Sequence, residues 1–154
     1  MTPKRTAAAG PRAAVVGSGS WGTTFGKILA DGGAQVTMWA RRPELAQEIN
    51  EAKRNSRYLP GINLPRTMAA THELATALDG VDQVYLSVPS QSLRENLKAL
   101  RPLLADSDAK IISLMKGVEL GTGLRMSQVI QQELRCDPDR VAVASGPNLA
   151  LEIP

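Results

Sequence analysis

Short runs of β-branched and apolar residues alternate along the chain with stretches whose apolar positions recur every three or four residues. That alternation is the pattern of βαβ units around a parallel sheet. Ala13–Val16 predicts a first strand, stopped by a glycine cluster. The stretch after it predicts a helix with Phe25, Ile28 and Leu29 on one face, closed by Gly32-Gly33. Gln35–Ala40 predicts a second strand. Pro43 then suits the first turn of a helix that carries Leu45, Ile49 and Ala52 inward.

From Lys53 to Thr67 the periodicity fades, and Pro60-Gly61 and Pro65 mark a loop. Thr71 predicts the cap of a short helix running through Leu78 to Gly80. Val84–Val88 reads as a strand stopped by Pro89. Ser92 and Glu95 stand at capping-box spacing before a helix with an apolar stripe of Leu93, Leu97, Leu100 and Leu104. The stripe is core packing rather than a partner groove. Ile111–Met115 predicts another strand, followed by a loop from Gly117 to Gly123. A helix with Met126, Val129, Ile130 and Leu134 comes next, and then a last strand at Val141–Ala144.

This order predicts an α/β fold of Rossmann type, a doubly wound and mainly parallel sheet with helices on both faces. Right-handed crossovers then leave the ligand crevice at the carboxyl ends of the strands. The glycine and polar punctuation falls at those ends.

The punctuation after the first strand is Gly17-Ser18-Gly19-Ser20-Trp21-Gly22, a match to G-x-G-x-x-G. In that motif the first glycine makes the tight turn, and the second lets backbone approach a pyrophosphate. The third lets the helix close on the sheet. A glycine turn alone is weak evidence. Here a strand precedes it, a helix follows, and a second strand arrives at the expected distance.

A site that prefers NAD places an acid on the ribose at the end of the second strand. This chain has Ala40-Arg41-Arg42 there, with Glu44 the nearest acid, beyond Pro43. Two guanidinium groups suit a 2′-phosphate, which favours NADP and leaves NAD open. A solvated arginine pair, or one stacked on adenine, is the plainer alternative.

Charge narrows the choices further. The formal net charge is +3, and Lys4, Arg5 and Arg12 account for it in a segment without acids. The rest is balanced, and the aromatics are few and scattered, so nucleic acid is not an expected partner. No stretch approaches the roughly 20 apolar residues of a membrane span. We divide the chain into a disordered tail, 1–12, and an NAD(P)-binding domain, 13–154. Cys136, the single cysteine, reads as an incidental thiol of a reducing cytoplasm. His72, the single histidine, reads as a surface residue at a helix start, away from the crevice.

The glycine loop with Ser20-Trp21 resembles that of bacterial NAD(P)-dependent glycerol-3-phosphate dehydrogenases. So do Arg57–Gly61, Ser87–Ser90, Lys116–Glu119 and Ser145–Ile153, in the family's order. The resemblance implies that Gly17, Gly19, Ser20, Trp21, Gly22, Arg41, Arg42, Tyr58, Lys116 and Ala150 bind the cofactor. Lys116, Gly146 and Asn148 would contact the substrate, dihydroxyacetone phosphate or glycerol phosphate. Asn148-Leu149 stands where the family often has Ser or Thr followed by Phe. Met115 stands where it often has a small or hydroxylated residue.

The activity implied is reversible reduction of dihydroxyacetone phosphate to sn-glycerol 3-phosphate, for phospholipid synthesis in the cytoplasm. The family's catalytic lysine belongs to a helical carboxyl-terminal domain, expected beyond Pro154. No catalytic residue is therefore assigned here, and this chain alone is expected to be inactive. A homodimeric full-length protein is an open expectation. Two alternatives stay beside this reading: a hydroxyacid or 6-phosphogluconate-type dehydrogenase domain, and a non-catalytic dinucleotide-binding module.

Overall fold

The computed structural model of the chain describes residues 10–146 and 150–153. Six strands form one sheet in the order β3-β2-β1-β4-β5-β6. They are β1 (Arg12–Val16), β2 (Gln35–Trp39), β3 (Ala69–Thr71), β4 (Gln83–Leu86), β5 (Lys110–Ser113) and β6 (Val141–Val143). Every neighbouring pair is parallel. The chain winds outward from β1 to β3 on one side, then returns to place β4 against the other edge of β1. That reversal opens a crevice between the carboxyl ends of β1 and β4.

Period-two alternation in the strands supplies two cores. Ala13 and Val15 of β1 join one apolar cluster with Val36, Met38 and Tyr85. Ala14 and Val16 point the other way and join Val84, Leu86 and Ile111. The helices α1 (Ser20–Asp31) and α2 (Pro43–Ala52) cover the first face. The helices α4 (Leu93–Leu104) and α5 (Met126–Leu134) cover the second, with the short α3 (Leu74–Leu78) beside them. All four leucines of the α4 stripe are buried, as the periodicity predicts. No helix among the described residues is long and apolar enough to cross a membrane.

Several expectations are corrected. Arg12 belongs to β1 rather than to a tail: its N–H donates to Asp82 Oδ2 at 2.9 Å and its guanidinium to the Asp79 carbonyl at 2.7 Å. Residues 1–9 of the expected tail lie outside the described residues. Ile28 is exposed, because α1 meets the sheet through the small residues Gly22, Thr23, Gly26 and Ala30. Ala52 is also exposed, and Ala46 takes its place in the core beside Leu45 and Ile49.

Thr71 ends a strand instead of capping a helix. Three residues, Ala69–Thr71, add β3 to the sheet edge, and α3 begins only at Leu74. The Ser92–Glu95 spacing makes no capping box, since the Ser92 hydroxyl donates to the Pro89 carbonyl at 2.9 Å. His72 follows β3 on the carboxyl edge of the sheet, where its carbonyl accepts from the Trp39 indole N–H at 3.0 Å. Its side chain is exposed, as expected, and His72 does not line the crevice.

Candidate functional site

The chain leaves β1 and turns through Gly17-Ser18-Gly19 into α1. Gly17 has φ +116°, and a Cβ there would lie 2.1 Å from the Ser87 carbonyl oxygen. Only glycine lets the end of β1 rest against the end of β4. A Cβ on Gly22 would lie 2.4 Å from the Gly17 carbonyl oxygen, so the first turn of α1 closes on the loop for the same reason. Gly19 is different: nothing lies within 4 Å of its Cβ position. The space before it is open.

Gly19 is also the N-cap of α1; no side chain caps the helix, and its first turn holds no acid. The first N–H groups and the positive end of the helix dipole are thus available to an anion. A phosphate fits there because the missing side chain leaves room for it.

Gly17, Ser18 and Gly19 form the floor of a cleft of about 430 Å³. One wall is Trp39, Arg41 and Arg42 from the end of β2, with Leu45 of α2 and Tyr58 from the following loop. The other is Ser87-Val88-Pro89 after β4, with Ser92 and Asn96. Arg41 and Arg42 are exposed, and among the described residues neither forms an ion pair. Their guanidinium groups remain free for a ligand. The Arg57 guanidinium lies over the Tyr58 ring, 5.4 Å from its centroid, which adds positive charge beside that wall.

Five of the sequence-predicted residues therefore surround one space: Gly17, Gly19, Arg41, Arg42 and Tyr58. Ser20, Trp21 and Gly22 open α1 beside it without lining it. Trp21 packs edge-on against Phe25, with ring centroids 5.6 Å apart. Lys116 is exposed just beyond β5, on the same edge of the sheet but outside the cleft lining. Gly146 and Ala150 are likewise outside it. The Ala150 carbonyl accepts from the buried Thr24 hydroxyl of α1 at 3.1 Å. Asn148 lies outside the described residues.

The loop after Lys116 is tied to α4. Glu119 takes both Nε and Nη2 of Arg94, at 2.7 and 2.8 Å, and accepts from the Thr122 hydroxyl. The Arg94 guanidinium and then that hydroxyl hold the Glu119 carboxyl down to about 2. Gln91 grips the same loop twice, donating to the Val118 carbonyl and accepting from the Leu120 N–H, each at 2.9 Å.

Two features escaped the sequence reading. One is the place of the second wall in the site: the sequence marks Ser87-Val88-Pro89 only as a motif of the family and assigns neither Ser92 nor Asn96 to the site. The other is Asn55, fully buried, whose Nδ2 donates to the Ser18 carbonyl at 2.9 Å and to Thr23 Oγ1 at 2.8 Å. It sits in the aperiodic loop after α2, where one asparagine carries no signal of burial.

Comparison with known proteins agrees with this geometry. The family model described as the NAD-dependent glycerol-3-phosphate dehydrogenase N-terminus matches residues 12–154. A glycerol-3-phosphate dehydrogenase [NAD(P)+] of Leifsonia xyli is 64% identical over 139 residues, which cover 90% of this chain and 37% of that protein. The Nocardia farcinica protein of the same name is 55% identical over 146 residues, covering 92% and 43%. The crystal structure of glycerol-3-phosphate dehydrogenase from Coxiella burnetii superposes with a TM-score of 0.82 at 32% identity, covering 93% of this chain and 43% of that one. This chain thus spans well under half the length of these relatives.

Proposed function

This chain belongs to the NAD-dependent glycerol-3-phosphate dehydrogenase family, matching its amino-terminal part, and we propose that it is the cofactor-binding part of such an enzyme. The reaction is the reversible reduction of dihydroxyacetone phosphate to sn-glycerol 3-phosphate, which supplies phospholipid synthesis. The cofactor is NADP, with NAD as the weaker ligand. One observation carries the reading: the glycine turn and the arginine pair line the same cleft.

The residues fit a phosphorylated dinucleotide. The open space at Gly19 and the uncapped start of α1 receive the pyrophosphate. Arg41 and Arg42 take the 2′-phosphate, for which a planar guanidinium fork is suited. Tyr58 and Leu45 give the adenosine an apolar wall. Bound there, the nicotinamide supplies or accepts the hydride. Lys116, fixed by the loop that Gln91 and Arg94 hold, neutralises phosphate or polarises the ketone of the substrate. Gly146, Asn148 and Ala150 belong to the same proposal, as contacts made when substrate and cofactor are in place. So do a cytoplasmic setting, which suits the free Cys136, and a homodimeric full-length protein.

The test has two arms. Titrating NADPH and NADH against this chain, followed by Trp21 and Trp39 fluorescence, should give saturable binding with NADPH the tighter ligand. The full-length protein should oxidise NADPH only when dihydroxyacetone phosphate is added. A chain that binds neither dinucleotide would overturn the first arm, and preference for another ketone the second.

A further inference from the structure

The glycine turn is held by more than its own backbone. Asn55 is fully buried and every polar atom of its side chain is used. Its Nδ2 donates to the Ser18 carbonyl and to Thr23 Oγ1, at 2.9 and 2.8 Å, while its Oδ1 accepts from the Tyr58 N–H at 3.2 Å. Thr23, also fully buried, donates a hydrogen bond from its hydroxyl to the Gly19 carbonyl at 2.8 Å and, more weakly, to the Ser18 carbonyl at 3.3 Å. The Gly19 carbonyl also accepts from the Thr23 N–H at 2.9 Å, as the first bond of α1, so the Ser18 carbonyl is the one drawn inward by side chains alone.

The consequence follows from peptide geometry. No peptide bond among the described residues is cis, and in a planar trans unit the C=O and the next N–H point in opposite directions. Holding the Ser18 carbonyl inward directs the Gly19 N–H outward. Holding the Gly19 carbonyl inward does the same for the Ser20 N–H. These are the two donors at the mouth of α1, next to the open space before Gly19. If the Ser18–Gly19 unit flipped, a carbonyl oxygen would face the site, and an anion would meet a negative dipole instead of a donor.

We infer that Asn55, through Thr23, is a positioning residue that locks the glycine turn in its anion-accepting form. The Tyr58 N–H from which Oδ1 accepts is also held by the Asn55 backbone carbonyl at 3.3 Å, as is the Leu59 N–H at 2.8 Å, so the wall keeps its own support and the side chain is critical for the floor. This deepens the cofactor assignment and rests on it.

The experiment compares wild type with Asn55→Leu, which keeps the volume and removes the donors, and with Thr23→Val, which breaks the relay at its second member. Each is titrated with NADPH and with adenosine 2′-phosphate, a fragment that carries the arginine ligand but no pyrophosphate. Circular dichroism verifies folding, and Thr23→Val carries the test alone should Asn55→Leu not fold. The expected result is a loss of NADPH affinity of about tenfold or more, the equivalent of one lost hydrogen bond, with adenosine 2′-phosphate affinity unchanged. Equal loss of both ligands would reduce Asn55 to a structural residue and overturn the inference, as would unchanged NADPH binding in a folded variant. Failure of the wild type itself to bind NADPH is a separate outcome, which removes the cofactor assignment first.

Discussion

Gly17 and Ser87 meet backbone to backbone: the space a side chain would need at Gly17 is filled by the Ser87 carbonyl, 2.1 Å from the Cβ position. Gly19, two residues on, faces empty space. The two glycines are therefore needed for different reasons, one for the fold and one for the ligand. Gly17→Ala should destabilise the chain by about 3 kcal/mol, from its positive φ together with the clash. That lowers Tm by roughly 6–12 °C in a domain of this size. Gly19→Val should leave Tm within a few degrees and abolish measurable NADPH binding, because its side chain fills the pyrophosphate space. Thermal melts with and without NADPH separate the two effects, and equal melting losses in both variants would contradict this division.

Arg41 and Arg42 decide which dinucleotide is held. A charge-assisted hydrogen bond contributes about 1.5–3 kcal/mol, and each 1.4 kcal/mol is about tenfold in affinity. Arg41→Asp should weaken NADPH by about tenfold or more and leave NADH unchanged or improved, since a carboxylate can accept from the ribose hydroxyl. Calorimetric titration of both dinucleotides measures the ratio. A parallel loss of both would mean that Arg41 stacks on adenine and does not read the phosphate.

The sheet and the floor of the site were legible because their signals are local. Strand alternation, helical period and the spacing of Gly17, Gly19 and Gly22 all fit within a few residues. The misreadings arose where distant partners decide. Ala69–Thr71 is too short and too small to announce a strand, and becomes β3 by pairing with Thr37–Trp39. Ile28 turns outward because glycines elsewhere on α1 bring the helix closer to the sheet. The Ser92 hydroxyl had the right spacing for a cap, but the Pro89 carbonyl is its partner. Asn55 shows the limit most plainly: nothing in its neighbourhood tells a buried bracket from an ordinary loop residue. Its role depends on Ser18 and Thr23, more than thirty positions away.

Leu97 is the test of the α4 face. It is fully buried with Leu93, Leu100 and Leu104, between the sheet and α5. Leu97→Ala removes packed methyl groups and leaves a cavity, at a cost of about 2–5 kcal/mol. Because Leu97 itself is outside the cleft lining, to which α4 contributes only Asn96, NADPH affinity of the folded fraction should change little. Urea unfolding followed by titration below the transition checks both halves of this statement. A cost below about 1 kcal/mol would mean that α4 is packed less tightly than its burial indicates.

Glu119 makes part of the chain's stability depend on acid pH. Its carboxyl is held down to about 2, chiefly by the Arg94 guanidinium and then by the Thr122 hydroxyl. The unfolded chain releases this restraint, so its carboxyl titrates near the ordinary value of 4.5. A group whose folded value is lowered contributes its full stability above the unfolded value and loses it as pH falls toward the folded one. Wild type should therefore exceed Glu119→Gln in stability by a constant margin above about pH 5. The margin should shrink between pH 4.5 and about 2. Because Arg94 also binds Glu133 and Gln132, part of its anchoring survives the substitution, and the two curves should converge in acid without crossing. Urea denaturation of both proteins at intervals from pH 7 to pH 3 reads the margin directly. A difference that stays flat across that range would show that the Arg94–Glu119 pair does not act as the clamp of the Lys116 loop.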